Sequence, residues 1–150
     1  MRHVSTLSTR SVTALAVGIA ALACGDATGV DPEDLVGTWT ATSAIVTNPA
    51  DLSETADLVA LGLSFTFIFE ASGRFESIVE FQTIIDNDAG TYSVTDGEFR
   101  LDFDGGVSTG TILRRDDRLT MRVRTGAEWD FDDDGLDEPA TLLLVMQRSR

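Results

Sequence analysis

Lysine is absent from this 150-residue chain, and histidine and cysteine occur once each, as His3 and Cys24. Both fall in or at the edge of an N-terminal stretch that reads as removable, so the working protein is expected to carry neither an imidazole nor a free thiol. That excludes Ser-His-Asp and Cys-His catalysis, Ser-Lys and Schiff-base chemistry, and zinc sites built from His or Cys. An enzyme is therefore not expected, and neither is an organic cofactor. Cations are scarce altogether: 11 Arg stand against 25 Asp and Glu, a formal net charge of −14 at pH 7. Nucleic acid is not expected as a partner, because phosphate contacts need basic residues in surplus.

Long apolar runs are also lacking. The longest, Ser11 to Ala23, is 13 residues, short of the about 20 that a helix needs to cross a bilayer. It follows a basic start (Arg2, His3, Arg10) and has the length of the apolar region of a secretory signal. Its end, Ala21-Leu22-Ala23-Cys24-Gly25, resembles the lipobox of bacterial lipoproteins, with Ala21 where that motif usually has leucine. The resemblance implies a lipoprotein signal peptide over residues 1–23 and a multiply acylated Cys24 as the first residue of the mature chain. Acylation also accounts for an unpaired cysteine in an exported protein, and two or more chains anchor stably where one does not. The implied place is the bacterial cell envelope, on the outer membrane, since Gly25 rather than Asp follows the cysteine. Residues 24–34 are polar and aperiodic and read as a tether. Residues 35–150 form the folded domain.

Within that domain the apolar residues alternate with period two, the mark of strands with one buried face. The expected strands are Gly37–Val46, Leu63–Phe69, Arg74–Ile85, Thr91–Thr95, Glu98–Phe103, Thr109–Arg114, Leu119–Thr125 and Ala140–Arg148. Asp86-Asn87-Asp88-Ala89-Gly90 breaks the third from the fourth, and Asp96-Gly97 is a strong two-residue hairpin signal. One segment differs. Asp51-Leu52-Ser53-Glu54 has capping-box spacing, Leu52, Ala56, Val59 and Ala60 share a helical face, and Gly62 is placed as a stop. A short helix over Asp51–Leu61 is expected between strands one and two. Eight short strands joined by tight turns suit an all-β, antiparallel, up-and-down barrel, whose closure removes exposed edges; a β-sandwich is the competing architecture.

Gly37-Thr38-Trp39 near the start of strand one, after an Asp-Pro-Glu-Asp lead-in, resembles the Gly-x-Trp signature of the lipocalin-like superfamily. The similarity spans about Leu35 to Arg148 and is nearest to the small bacterial lipocalin-like lipoproteins. It implies Arg148 on the last strand as a partner of Trp39, and the long first connection as a lid over the open end. A barrel of eight strands has room for packed side chains or for one small ligand. Phe65, Phe67, Phe69, Phe75, Phe81, Phe99 and Phe103 could line a pocket or simply fill it. The function expected is binding of a small apolar ligand or an envelope component. The alternative is a filled structural or inhibitory module that presents its loops to a protein partner.

An up-and-down barrel sorts its loops between two rims. The odd connections, which carry most of the loop acids, are expected at the open end. Arg114, Arg115, Arg118, Arg122 and Arg124 are expected near the closed end, facing lipid phosphates or pairing with outward acids such as Glu98 and Asp102. The sharpest local pattern is Asp130-Phe131-Asp132-Asp133-Asp134-Gly135-Leu136-Asp137-Glu138. Acids at positions one, three and five with glycine at six match the start of a calcium loop. The expected ligands are Asp130, Asp132, Asp134, the Leu136 carbonyl and Glu138. Thr141 stands where the template has its bidentate glutamate, which lowers the expected affinity.

Overall fold

The computed structural model describes residues 29–149; the leader, the lipobox-like segment and Cys24 lie outside the described residues. One helical turn, α1 (Pro32–Leu35), precedes nine strands: β1 (Gly37–Thr47), β2 (Thr55–Asp57), β3 (Leu63–Phe69), β4 (Arg74–Phe81), β5 (Ile84–Thr95), β6 (Glu98–Phe103), β7 (Gly106–Arg115), β8 (Arg118–Trp129) and β9 (Glu138–Arg148). The strand order is β2-β1-β3-β4-β5-β6-β7-β8-β9, every pair antiparallel, and β1 also pairs with β9. Eight strands thus close into an up-and-down barrel, and β2 is an extra strand on β1. The sandwich is excluded, because no pair of sheets exists among the described residues.

Closure rests on β1, which uses both of its edges. Trp39–Thr47 pair with Arg148–Thr141 of β9 along one edge. The other edge is divided: Gly37–Thr40 pair with β3 and Ile45–Thr47 with β2. A bulge between Ala41 and Ser43 switches the inward phase of the strand. Trp39 is buried before it, and Ala44 and Val46 after it. An extra residue in one strand does this, because side chains alternate with period two.

The barrel has a sealed floor. Trp39, Phe69, Leu119 and Met146 are each at most 2 % exposed, and Leu35 of α1 caps them at 1 %. The Trp39 indole N–H donates to the Leu35 carbonyl at 2.7 Å. The Arg148 guanidinium lies 5.4 Å from the indole centroid and donates to the Val36 carbonyl. The bonds from Trp39 and Arg148 are thus polar links that tie the end of α1 to β1 and β9. Glycine is required at 37 on two counts: φ is +134°, and a Cβ there would stand 3.0 Å from an Arg148 nitrogen. The Tyr92 hydroxyl donates to the Glu70 carbonyl at 2.9 Å, close to Pro32 O. Its ring meets Phe69 edge-on at 5.0 Å. Burial pushes the Tyr92 phenol pKa up. Arg114 reaches Asp34 at 2.8 Å, a further link between α1 and the barrel.

Two sequence expectations are corrected. Residues 51–61 form no helix; they hold turns and β2. The capping residues do act, but locally: the Ser53 N–H and hydroxyl donate to the Asp51 carboxylate at 3.0 and 2.6 Å, closing a single turn. The reason is tertiary. β3 parts from β1 after Thr40 and leaves the edge of Ile45–Thr47 without partners. Thr55–Asp57 fills it, and unpaired backbone groups outweigh a weak helical preference. The second correction concerns residues 86–90, expected as a break. They lie within β5, paired with Phe75–Val79. The hairpin falls earlier, at Gln82-Thr83, with Gln82 at φ +55°. Residues with poor strand propensity sit in this strand because their cross-strand partners hold them there.

The floor generates a stability prediction. Trp39→Ala removes a fully buried indole and should lower the unfolding free energy by about 3–5 kcal/mol, read by urea denaturation. A change within about 0.5 kcal/mol, as at a surface position, would contradict the floor.

Candidate functional site

Above the floor the barrel is hollow. A cavity of about 400 Å³ opens at the end of the barrel opposite Trp39. Its walls are mostly apolar: Phe65, Phe103, Val123, Leu142 and Leu144 from the strands, and Trp129 near the mouth. The volume lies within the about 300–1,000 Å³ usual for small-molecule sites. The phenylalanines therefore divide between the two expectations: Phe69 and Phe99 pack the lower interior, whereas Phe65, Phe67, Phe75 and Phe103 also face the cavity.

The connection between β1 and β3 covers part of the mouth, though as turns and a strand rather than a helix. Leu58, 5 % exposed, projects from it onto the cavity. Asp57 holds it in place. Its carboxylate accepts from the Ala44 N–H of β1 at 3.3 Å, from the Val59 and Ala60 N–H groups at 3.0 and 3.4 Å, and from the Ser43 hydroxyl at 3.3 Å. These bonds, that of Ala44 foremost, hold the Asp57 carboxyl below its ordinary pKa of 3.8.

Three carboxylates stand at the mouth: Asp86 and Asp88 of β5 and Glu128 of β8. Asp86 lies across from Val79 and Asp88 across from Ser77, so both occupy the inward phase that Tyr92 and Val94 share farther along the strand. Reading residues 86–90 as a turn concealed this. The signal was present, since 86, 88, 90, 92 and 94 keep one parity. Around the mouth, Leu52, Leu61, Ile84, Ile85 and Leu136 are more than half exposed, Ile84 and Ile85 at the start of β5 and the others on the connections of the open end.

The acidic loop follows β8 at the same rim. Carboxylate oxygens of Asp130, Asp132, Asp134 and Glu138 lie within 4.8 Å of one another. The loop's backbone turns around them: the Asp134 N–H donates to Asp130 and Asp132 at 3.1 and 3.2 Å, the Gly135 N–H to Asp130 at 2.9 Å, and the Phe131 N–H to Glu138 at 2.9 Å. Asp133 and Gly135 take positive φ, 59° and 86°, which the tight loop requires. The four expected side-chain ligands are brought together, in an arrangement that could hold a metal ion. Leu136, the fifth, is on the same loop, and its N–H donates to Asp134 at 2.9 Å.

The arginines expected together near the closed end separate in role. Arg124 pairs with Glu98 and Arg114 with Asp34, while Asp102 is taken by Arg100 at 2.5 Å. Arg115, Arg118 and Arg122 have no carboxylate partner among the described residues. No family model matches the chain, and no curated protein resembles it closely enough to be a relative.

The Asp57 contacts predict an acid dependence. A carboxyl whose folded pKa is depressed contributes stability above its unfolded pKa, and that contribution is lost as pH falls through the folded value. Asp57→Ala should therefore melt below the wild type at neutral pH, with the gap closing at pH values under 3.8. Thermal melts across that range check it; a gap independent of pH would contradict it.

Proposed function

We propose that this protein is a non-enzymatic, lipid-anchored, lipocalin-like lipoprotein of the bacterial envelope that binds a small apolar ligand through the open end of its barrel. The observation that carries the reading is the cavity of about 400 Å³ above a sealed floor. A filled interaction module would leave no such space. Support for the lipocalin-like kinship comes from the Gly37, Trp39 and Arg148 cluster at the floor, joined to the Gly-x-Trp pattern in the sequence. Support for the anchor comes from Ala21-Leu22-Ala23-Cys24 alone. After Cys24 the sequence holds no His, Cys or Lys, which supports a binding role over catalysis.

The rim loop of Asp130, Asp132, Asp134 and Glu138 is read as a calcium brace. Hard carboxylate oxygens on a flexible loop suit calcium, and a cation relieves the mutual repulsion of acids packed this closely. The flanking elements are strands, so the ion would fasten the β8–β9 hairpin beside the cavity mouth.

Three measurements follow. Protein extracted from its own membrane should show, by native mass spectrometry, a chain beginning at Cys24 with acyl groups attached. It should also take up the neutral fluorophore N-phenyl-1-naphthylamine. A tryptophan built into the cavity wall, Val79→Trp, should abolish that uptake without unfolding the barrel. An unacylated chain refutes the anchor, and uptake that Val79→Trp leaves intact refutes the cavity as the binding site. For the brace, calorimetry should show calcium binding with a Kd of about 10⁻⁴–10⁻³ M, the range of extracellular modules, and Asp132→Asn should weaken it. No heat at such concentrations, together with melting indifferent to a chelator, would refute it.

A further inference from the structure

The polar groups of the cavity specify more than its size. Asp86 and Asp88 break the alternation of β5 by placing carboxylates at inward positions of an apolar barrel. Such breaches are usually retained where a site needs them. Neither residue, nor Glu128, has a hydrogen-bond donor or an arginine as partner among the described residues, so structural pairing does not account for them. No arginine occurs in residues 48–62, 82–90, 101–113 or 125–147, which supply the connections of the open end and part of the cavity wall; Arg122 and Arg124, beside the wall residue Val123, take the opposite strand phase and are exposed. The remaining polar wall groups, Ser77 and Ser108, are hydroxyls. Ser108 is 7 % exposed, and its only hydrogen bond is a long one of 3.4 Å to the Gly126 carbonyl, which leaves its lone pairs to accept from a donor.

An apolar tail placed in the cavity puts its headgroup beside Asp86, Asp88 and Glu128. A carboxylate or phosphate head would meet three like charges with no cation to offset them. An ammonium head would be attracted by all three and could donate to them. Resting on the ligand-binding reading above, we propose that the cavity takes a cationic amphipath, an amine or quaternary ammonium on an alkyl or aromatic body, and discriminates against the anionic amphipath of the same length.

The test is displacement of N-phenyl-1-naphthylamine by decylamine, decanol and decanoate. It is run at neutral pH, below their micellar concentrations, with chelator present so that the rim loop carries no metal. Decylamine should bind at least about fivefold more tightly than decanol, and decanoate at least about fivefold more weakly. High salt should narrow both gaps. The double variant Asp86→Asn, Asp88→Asn changes only exposed side chains. It should lose most of the amine preference, read as the ratio of decylamine to decanol affinity. Decanoate binding as well as decylamine, with decanol also bound, overturns the proposal and leaves the cavity reading standing. An amine preference unchanged in the double variant also overturns it, since the protein's overall negative charge would then be the cause. Failure of all three chains and of the fluorophore overturns the cavity reading and this proposal with it.

Discussion

The hydrogen-bonded union of the first and last strands is the constraint on which the other features depend. It satisfies the backbone of β1 and β9, and in the same ladder it sets Trp39 opposite Arg148. The indole then becomes the centre of the floor: it shares the buried core with Phe69, Leu119 and Met146, lies under the Arg148 guanidinium, and donates to the Leu35 carbonyl. An open sheet of the same strands would expose two long edges and leave the indole without its lid. Closure also creates the inside in which carboxylates at 86 and 88 are out of place.

The two ends of the cylinder have opposite characters. The floor end carries the arginines and the polar links to α1, and residues 30–36 pass beneath it. The open end carries most of the loop acids and the exposed Leu52, Leu61, Ile84, Ile85 and Leu136, with no basic residue on its connections to offset them. Up-and-down topology alone produces this division, because alternate connections fall on alternate rims. A tether joined to the chain before α1 would meet the barrel from the floor side, so the mouth would face away from an anchoring surface.

Much of this was legible in the sequence, for identifiable reasons. Phe65, Phe67 and Phe69 alternate cleanly because β3 has one buried face, and Asp96-Gly97 turns because both residues accept positive φ. The acidic loop was legible because its carboxylates are local in sequence. What failed was decided by partners distant in sequence. Asp51–Leu61 has every local sign of a helix, yet the bare edge of Ile45–Thr47, visible only once β3 has diverged, takes Thr55–Asp57 as a strand. Asp86–Gly90 has the composition of a turn, yet Phe75–Val79 hold it in the ladder, and the inward acids of the mouth were hidden with it. The partner of Trp39 lay 109 residues on in the chain and was reached only through a resemblance.

The central claim is that the upper barrel is a hollow, solvent-reachable apolar chamber ending at the Trp39 floor. It is tested most directly by intermolecular nuclear Overhauser effects from a neutral alkyl alcohol to methyl-labelled protein. The account predicts contacts to Val123, Leu142 and Leu144, which line the chamber, and none to Met146, which lies sealed in the floor. Contacts confined to the exposed Leu52, Leu61 and Leu136, with the interior methyls silent, would contradict it.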